Sequence, residues 1–162
     1  MTRLLFFLPL FLVLFVGCGE SKPDGFPALV NSVSVKIVKG GQPLSDVSVS
    51  LFLKDSTSDC LVSGNTDAAG VAVISTSRGT YIKKGAPVGK YLVQLREVVK
   101  VDMPGLSMDA TPAQEATWTK EYTAKLDAAR IIPKALTNGT ESPLEIEISQ
   151  APVAVEFDVS KY

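Results

Sequence analysis

Apolar and polar residues alternate in short runs along most of this chain. Val47, Val49, Leu51 and Leu53 are separated by Ser48, Ser50 and Phe52, the period of two that a strand shows when one face is buried. Val33, Val35 and Ile37 alternate in the same way with Ser32, Ser34 and Lys36. Two closing runs repeat the pattern: Leu144, Ile146 and Ile148 against Glu145, Glu147 and Ser149, then Val153, Val155, Phe157 and Val159 against Ala154, Glu156, Asp158 and Ser160. Between these lie a third predicted strand over 60–66, a fourth over 71–75 and a fifth that starts at Gly89-Lys90-Tyr91 and runs toward Val99. Gly40-Gly41-Gln42-Pro43, Asp67 to Gly70 and Gln150-Ala151-Pro152 punctuate them as turns, because Gly tolerates the positive φ of a tight reversal and Pro152 sits at a strand margin where a missing N–H does no harm. Residues 78–88 read as a loop. Seven short strands with turns between them predict an all-β fold, an antiparallel sandwich.

The period changes once. Residues 101–141, between the fifth and sixth predicted strands, are longer than a hairpin connection needs. Thr111-Pro112-Ala113-Gln114 fits a capping box with Pro at the first helical position. Trp118, Tyr122, Leu126 and Ala129 then recur at helical spacing, and Ile132 before Pro133 ends the run. Packing of this stripe on the sandwich, as a cover for an open edge or end of a sheet, is the first expectation. The alternative makes Trp118, Tyr122, Met103 and Met108 a binding surface, since aromatic faces suit sugars and apolar peptides.

The chain begins differently from its body. Met1-Thr2-Arg3 precedes thirteen residues, Leu4 to Val16, that are apolar apart from Pro9. At about 1.5 Å per residue they would span about 20 Å, short of the roughly 30 Å hydrocarbon core of a bilayer, so the segment reads as an export signal over 1–17. Phe15-Val16-Gly17-Cys18 resembles the bacterial lipobox, with Phe15 where Leu is usual. That resemblance implies acylation of Cys18, which becomes the mature N-terminus. Several acyl chains, at about 0.8 kcal/mol per buried methylene, hold a protein stably to a membrane. Residues 18–29 are polar and proline-rich and read as a tether, leaving 30–162 as the folded domain. Gly19 after the cysteine resembles the Gram-negative rule for sorting to the outer membrane.

Charge and composition then narrow the chemistry. Without the leader and its Arg3, 15 basic residues face 17 acidic ones, and no run of like charge occurs. That balance argues against nucleic acid as a partner. Histidine is absent from the whole chain. Cys60, the only cysteine besides Cys18, has no imidazole to activate it and reads as a small buried apolar residue. Asp55, Asp59, Asn65 and Asp67 carry oxygen ligands, but their spacing matches no calcium loop and turn-forming Asp explains them better. No catalytic residue, metal or cofactor is nominated.

The segments Gly41-Gln-Pro-Leu-Ser-Asp-Val-Ser-Val-Ser-Leu51, Thr66-Asp-Ala-Ala-Gly-Val-Ala72 and Gly85-Ala-Pro-Val-Gly-Lys-Tyr-Leu-Val93 resemble the carboxypeptidase regulatory-like, or transthyretin-like, β-sandwich domain. Ile132-Pro133-Lys134 and Ser142-Pro143-Leu144-Glu145-Ile146-Glu147-Ile148 resemble the small bacterial lipoproteins that carry it. The resemblance implies a seven-stranded antiparallel Greek-key sandwich, transthyretin/prealbumin-like, with one inserted α-helix between strands five and six. The missing catalytic chemistry, together with the lipobox, predicts a non-catalytic lipoprotein of the cell envelope, anchored on the periplasmic or outer surface side, that binds an envelope protein or glycan or serves as structural support. The alternative function is an envelope enzyme of the transthyretin-like hydrolase type. Those hydrolases and the intradiol dioxygenases use histidine, which this chain lacks. A third reading, a Lys–carboxylate cross-link between Lys36 and Asp158 as in adhesin domains, is weakened because the last strand holds no Asn and both residues lie on the polar phase of their alternation.

Overall fold

A computed structural model describes residues 22–27, 31–54, 58–103 and 105–162. The export signal, Cys18, the start of the tether and Asp55 lie outside the described residues. The strands are β1 (Val33–Lys39), β2 (Gln42–Pro43), β3 (Val47–Leu53), β4 (Leu61–Asn65), β5 (Val71–Val73), β6 (Ser75–Arg78), β7 (Tyr81–Lys84), β8 (Gly89–Glu97), β9 (Glu145–Ile148) and β10 (Val153–Asp158). One helix, α1 (Pro112–Ala129), and two 3₁₀ turns, Lys134–Leu136 and Val159–Lys161, complete them.

Two sheets pack face to face. One runs β7-β6-β4-β3-β8-β9 and is antiparallel throughout; in the other, β1 is flanked by β10 on one side and by β2 and β5 in succession on the other. The all-β expectation holds, and three details differ from the sequence reading. The described residues hold ten strands rather than seven. Residues 78–88 are not simply a loop, because Gly79 takes a φ of 59° and closes a hairpin in which Arg78 pairs with Tyr81. The pairing of β1 with β10 is parallel, with Val33 opposite Val153 and Ile37 opposite Phe157, so the sandwich is not wholly antiparallel.

The predicted strand over 71–75 is in fact a crossing point. β5 pairs with β1 in one sheet and β6 with β4 in the other, and the chain switches sheets at Ile74. The Ile74 amide donates to the Val33 carbonyl (3.0 Å) while its own carbonyl accepts from the Gly85 amide (2.7 Å), so the corner leaves neither group unpaired. Gly64 makes room for it: a Cβ there would lie 2.6 Å from the Val73 carbonyl oxygen.

The core is the one the alternation foretells. Val33, Val35 and Ile37 meet Val47, Val49 and Leu51, with Val93 and Leu95 of β8 and Ile146 and Ile148 of β9 between the sheets. Glu145 and Glu147 face solvent. The inward residues of β10, Val153, Val155 and Phe157, are only partly covered, as befits an edge strand. Lys36 meets its register partner Glu156 at 2.8 Å and not Asp158. Asp158 is held below the usual carboxylate range by hydrogen bonds from the Ser160 hydroxyl and amide and from the Gly40 amide, so the geometry offers no Lys36–Asp158 link.

The two poles of the sandwich have different tenants. Residues 22–27 enter beside the β6–β7 hairpin, where Phe26 is buried edge-on against Tyr81 (4.7 Å between centroids) and Arg78 donates to the Asp24 carbonyl. β1 then rises about 20 Å to Lys39 at the other pole. There the Glu97 carboxylate and Lys39 hold the chain that leaves α1.

Candidate functional site

The insertion surface is built on a well-capped helix. Thr111 is the N-cap, its hydroxyl accepting from the Gln114 amide while the Gln114 side chain accepts from the Thr111 amide (2.8 Å). The capping box satisfies two amides that the first turn would leave unpaired. At the far end Arg130 is extended, and one carboxylate oxygen of Glu97 accepts from the amides of Ile131 (2.7 Å) and Ile132 (2.8 Å). Lys39 donates to the Ile131 carbonyl (3.3 Å). Ile132 is fully buried, so the helix is fastened to the sandwich immediately after it ends.

The helix itself buries none of its residues. Trp118, Tyr122 and Leu126 are half-covered, in the phase expected, but the stripe does not enter the core. The expectation that it covers a sheet is therefore corrected. The reason is local: the two rings stack on each other, 4.9 Å apart and 12° from parallel, on a helix whose remaining face is alanine and charge. Lys125 donates to the Asp102 carbonyl (3.4 Å), which brings the connection from β8 alongside the fourth turn. Met103, next to that carbonyl, is half-buried, whereas Met108 is wholly exposed. Of the four candidate surface residues, then, Trp118 and Tyr122 form one unit, Met103 lies beside the loop that joins the helix, and Met108 stands in solvent.

A second feature lies at the opposite pole and was not among the sequence candidates. A cleft of about 760 Å³ opens between the end of β3, the chain before β4 and the entering segment, with Gly25 and Pro27 on its wall. Leu53, Phe52, Leu61 and Tyr91 give it an apolar lining, and Cys60 and Asp59 stand along it. Phe52 is the signal that could have found it, a large ring on the outward phase otherwise held by Ser48 and Ser50. β3 and β4 pair from Ser48 opposite Asn65 to Ser50 opposite Ser63, and Phe52 and Leu61 both line the cleft beyond that pairing.

The polar groups of the cleft are already engaged. Tyr91 donates its hydroxyl to the Pro87 carbonyl (2.9 Å), and burial pushes its phenol up to about 12, so it remains neutral and hydrogen-bonded. Asp59 pairs with Arg78 (3.3 Å). Cys60 is half-buried rather than enclosed in a strand, its amide accepted by the Ser58 hydroxyl (3.2 Å). Asp67 accepts from the amides of Ala69 and Val71, both at 2.9 Å, the turn-forming role assigned to it. Among the described residues no group of three or more His, Cys, Asp or Glu side chains is placed to hold a metal, and no helix is long and apolar enough to cross a membrane.

Comparison with protein-family models, with curated proteins and with solved structures finds no match to this chain.

Proposed function

We propose that the protein is a membrane-tethered, non-catalytic module of the bacterial cell envelope that presents its helical insertion to an envelope protein or glycan. We infer further that its sandwich is of the transthyretin-like, Greek-key type, in keeping with the turn motifs at Gly41–Leu51 and Thr66–Ala72. The observation that carries the functional reading is the opposition of the poles. The chain arrives from the Cys18 side beside the β6–β7 hairpin, whereas the helix that carries the stacked Trp118–Tyr122 pair is rooted at the other pole, at Glu97 and Lys39, and buries none of its residues. A tether at one end and a stacked aromatic pair on the helix rooted at the other suit recognition at a distance from the membrane, since aromatic residues supply large contact area at low entropic cost. The chemistry of the cleft adds nothing catalytic to this, because its phenol and its carboxylate are already hydrogen-bonded or ion-paired.

Two measurements on the full chain in bacterial cells test the proposal. Cys18→Ala moves the protein from the membrane fraction to the soluble envelope fraction; retention in the membrane contradicts the anchor. A photo-crosslinking residue placed at Glu121, beside the ring pair, forms a discrete adduct with an envelope component that Trp118→Ala with Tyr122→Ala abolishes. Adducts indifferent to the rings contradict a recognition surface.

A further inference from the structure

The cleft lies at the pole that the tether would hold against the bilayer, and this placement identifies an occupant. From Cys18 to Gly25 is seven residues, a reach of at most about 25 Å. Gly25 and Pro27 are themselves part of the cleft wall. An acylated Cys18 seated in a membrane therefore keeps the cleft within about 25 Å of the lipid surface. Its size, about 760 Å³, lies within the roughly 300–1,000 Å³ of sites that enclose small ligands.

We infer that the cleft takes up an acyl chain of a phospholipid from the membrane that anchors the protein; the inference rests on the anchored reading above. Three features of the lining select hydrocarbon over a polar ligand. Leu53 and Tyr91, paired across β3 and β8, form its inner wall. Phe52 and Leu61, both exposed, extend it. The Tyr91 hydroxyl and the Asp59 carboxylate are turned to Pro87 and Arg78, so they do not call for a ligand's polar groups. Moving an acyl chain from bilayer to cleft exchanges one apolar surrounding for another and costs little. Occupancy is then set by shape and by the high local concentration of lipid that the short tether guarantees. Of the hydroxyls on the wall, Ser58 accepts from the Cys60 amide and Thr140 donates to the Asn138 side chain.

The test uses cells expressing the full chain and fed a palmitic acid that carries a diazirine and enters their phospholipids. After illumination and membrane isolation, peptides are mapped by mass spectrometry. The expected result is a phospholipid adduct on residues 50–62. Leu61→Glu, at a position 57% exposed on the cleft wall, lowers its yield about tenfold by placing a charge against hydrocarbon. Ile82→Glu, 66% exposed and off the cleft, leaves the yield unchanged; both positions are exposed, so neither change threatens the fold. A membrane-bound protein whose adducts are absent, or confined to residues 18–24, overturns the inference and leaves the anchor standing. Adducts that join residues 50–62 to the acyl group on Cys18 itself also overturn it, because the source is then the protein's own lipid. Protein found wholly outside the membrane overturns the anchored reading and the inference with it.

Discussion

The two halves of the insertion, adjacent in sequence, behave in opposite ways. Residues 112–129 form a regular helix that buries nothing, whereas the irregular stretch after it sends Ile132 and Leu136 fully into the core. The helix has the stronger periodic signature and the weaker hold on the fold. An aromatic stripe at helical spacing can be completed by its own rings, and Trp118 on Tyr122 does this. The isolated apolar residues on either side of Pro133, Ile132 and Leu136, have no such local solution and join the core of the sandwich instead.

The largest effect should come from the irregular half. Ile132→Ala removes a fully buried side chain and is expected to cost about 2–5 kcal/mol in denaturant unfolding, and a cost near that of a surface change would erase the contrast. Glu97→Ala, which strips the acceptor from the Ile131 and Ile132 amides, should cost about 1–3 kcal/mol. It should also speed hydrogen exchange in α1 more than in β3, because the latch lies at the root of the helix.

Alkaline pH probes the cleft side of the same contrast. Tyr91 has its pKa raised by burial from about 10 to about 12, so its contribution to stability is complete below pH 10. It is lost as pH climbs through 12, since the unfolded chain releases that proton first. Ultraviolet titration should show one of the four tyrosines ionising last, and Tyr91→Phe should remove that late step.

Smaller effects belong to the helix. Thr111→Ala should lower local helix stability by about 1 kcal/mol, seen as faster exchange over the first turns with little change in global unfolding. Trp118→Ala should change global stability least, by about 1 kcal/mol or less, since it removes a ring stack and no core contact. A loss comparable to that of Ile132→Ala would show that the helix is a cover after all.

Much of the fold is written in the alternation itself. Val33, Val47 and Leu144 each open a run whose inward members are buried as read, because a half-buried strand leaves a two-residue imprint. Two features leave none. The change of sheet at Ile74 falls inside an unbroken apolar run, Val71 to Ile74, where successive residues serve different sheets and no phase break marks the crossing. β7 is exposed at three of its four positions and so shows no buried face. The parallel pairing of β1 with β10 depends on where distant segments meet, which their individual patterns do not encode. At the candidate site, the cap at Thr111 and the ring spacing are local and legible. That the stripe stays outside the core, and that Phe52 and Leu61 share a cleft with Gly25, are facts of tertiary placement.

The opposition of the poles is open to a single optical measurement, because Trp118 is the only tryptophan in the chain. The lipidated protein would be reconstituted in vesicles of phosphatidylethanolamine and phosphatidylglycerol with brominated acyl chains, and its emission followed with aqueous acrylamide added or withheld. The account predicts emission that acrylamide quenches and the brominated lipid does not, because the helix is rooted at the pole opposite the tether. Quenching by the brominated chains would place the helix against the membrane and contradict it.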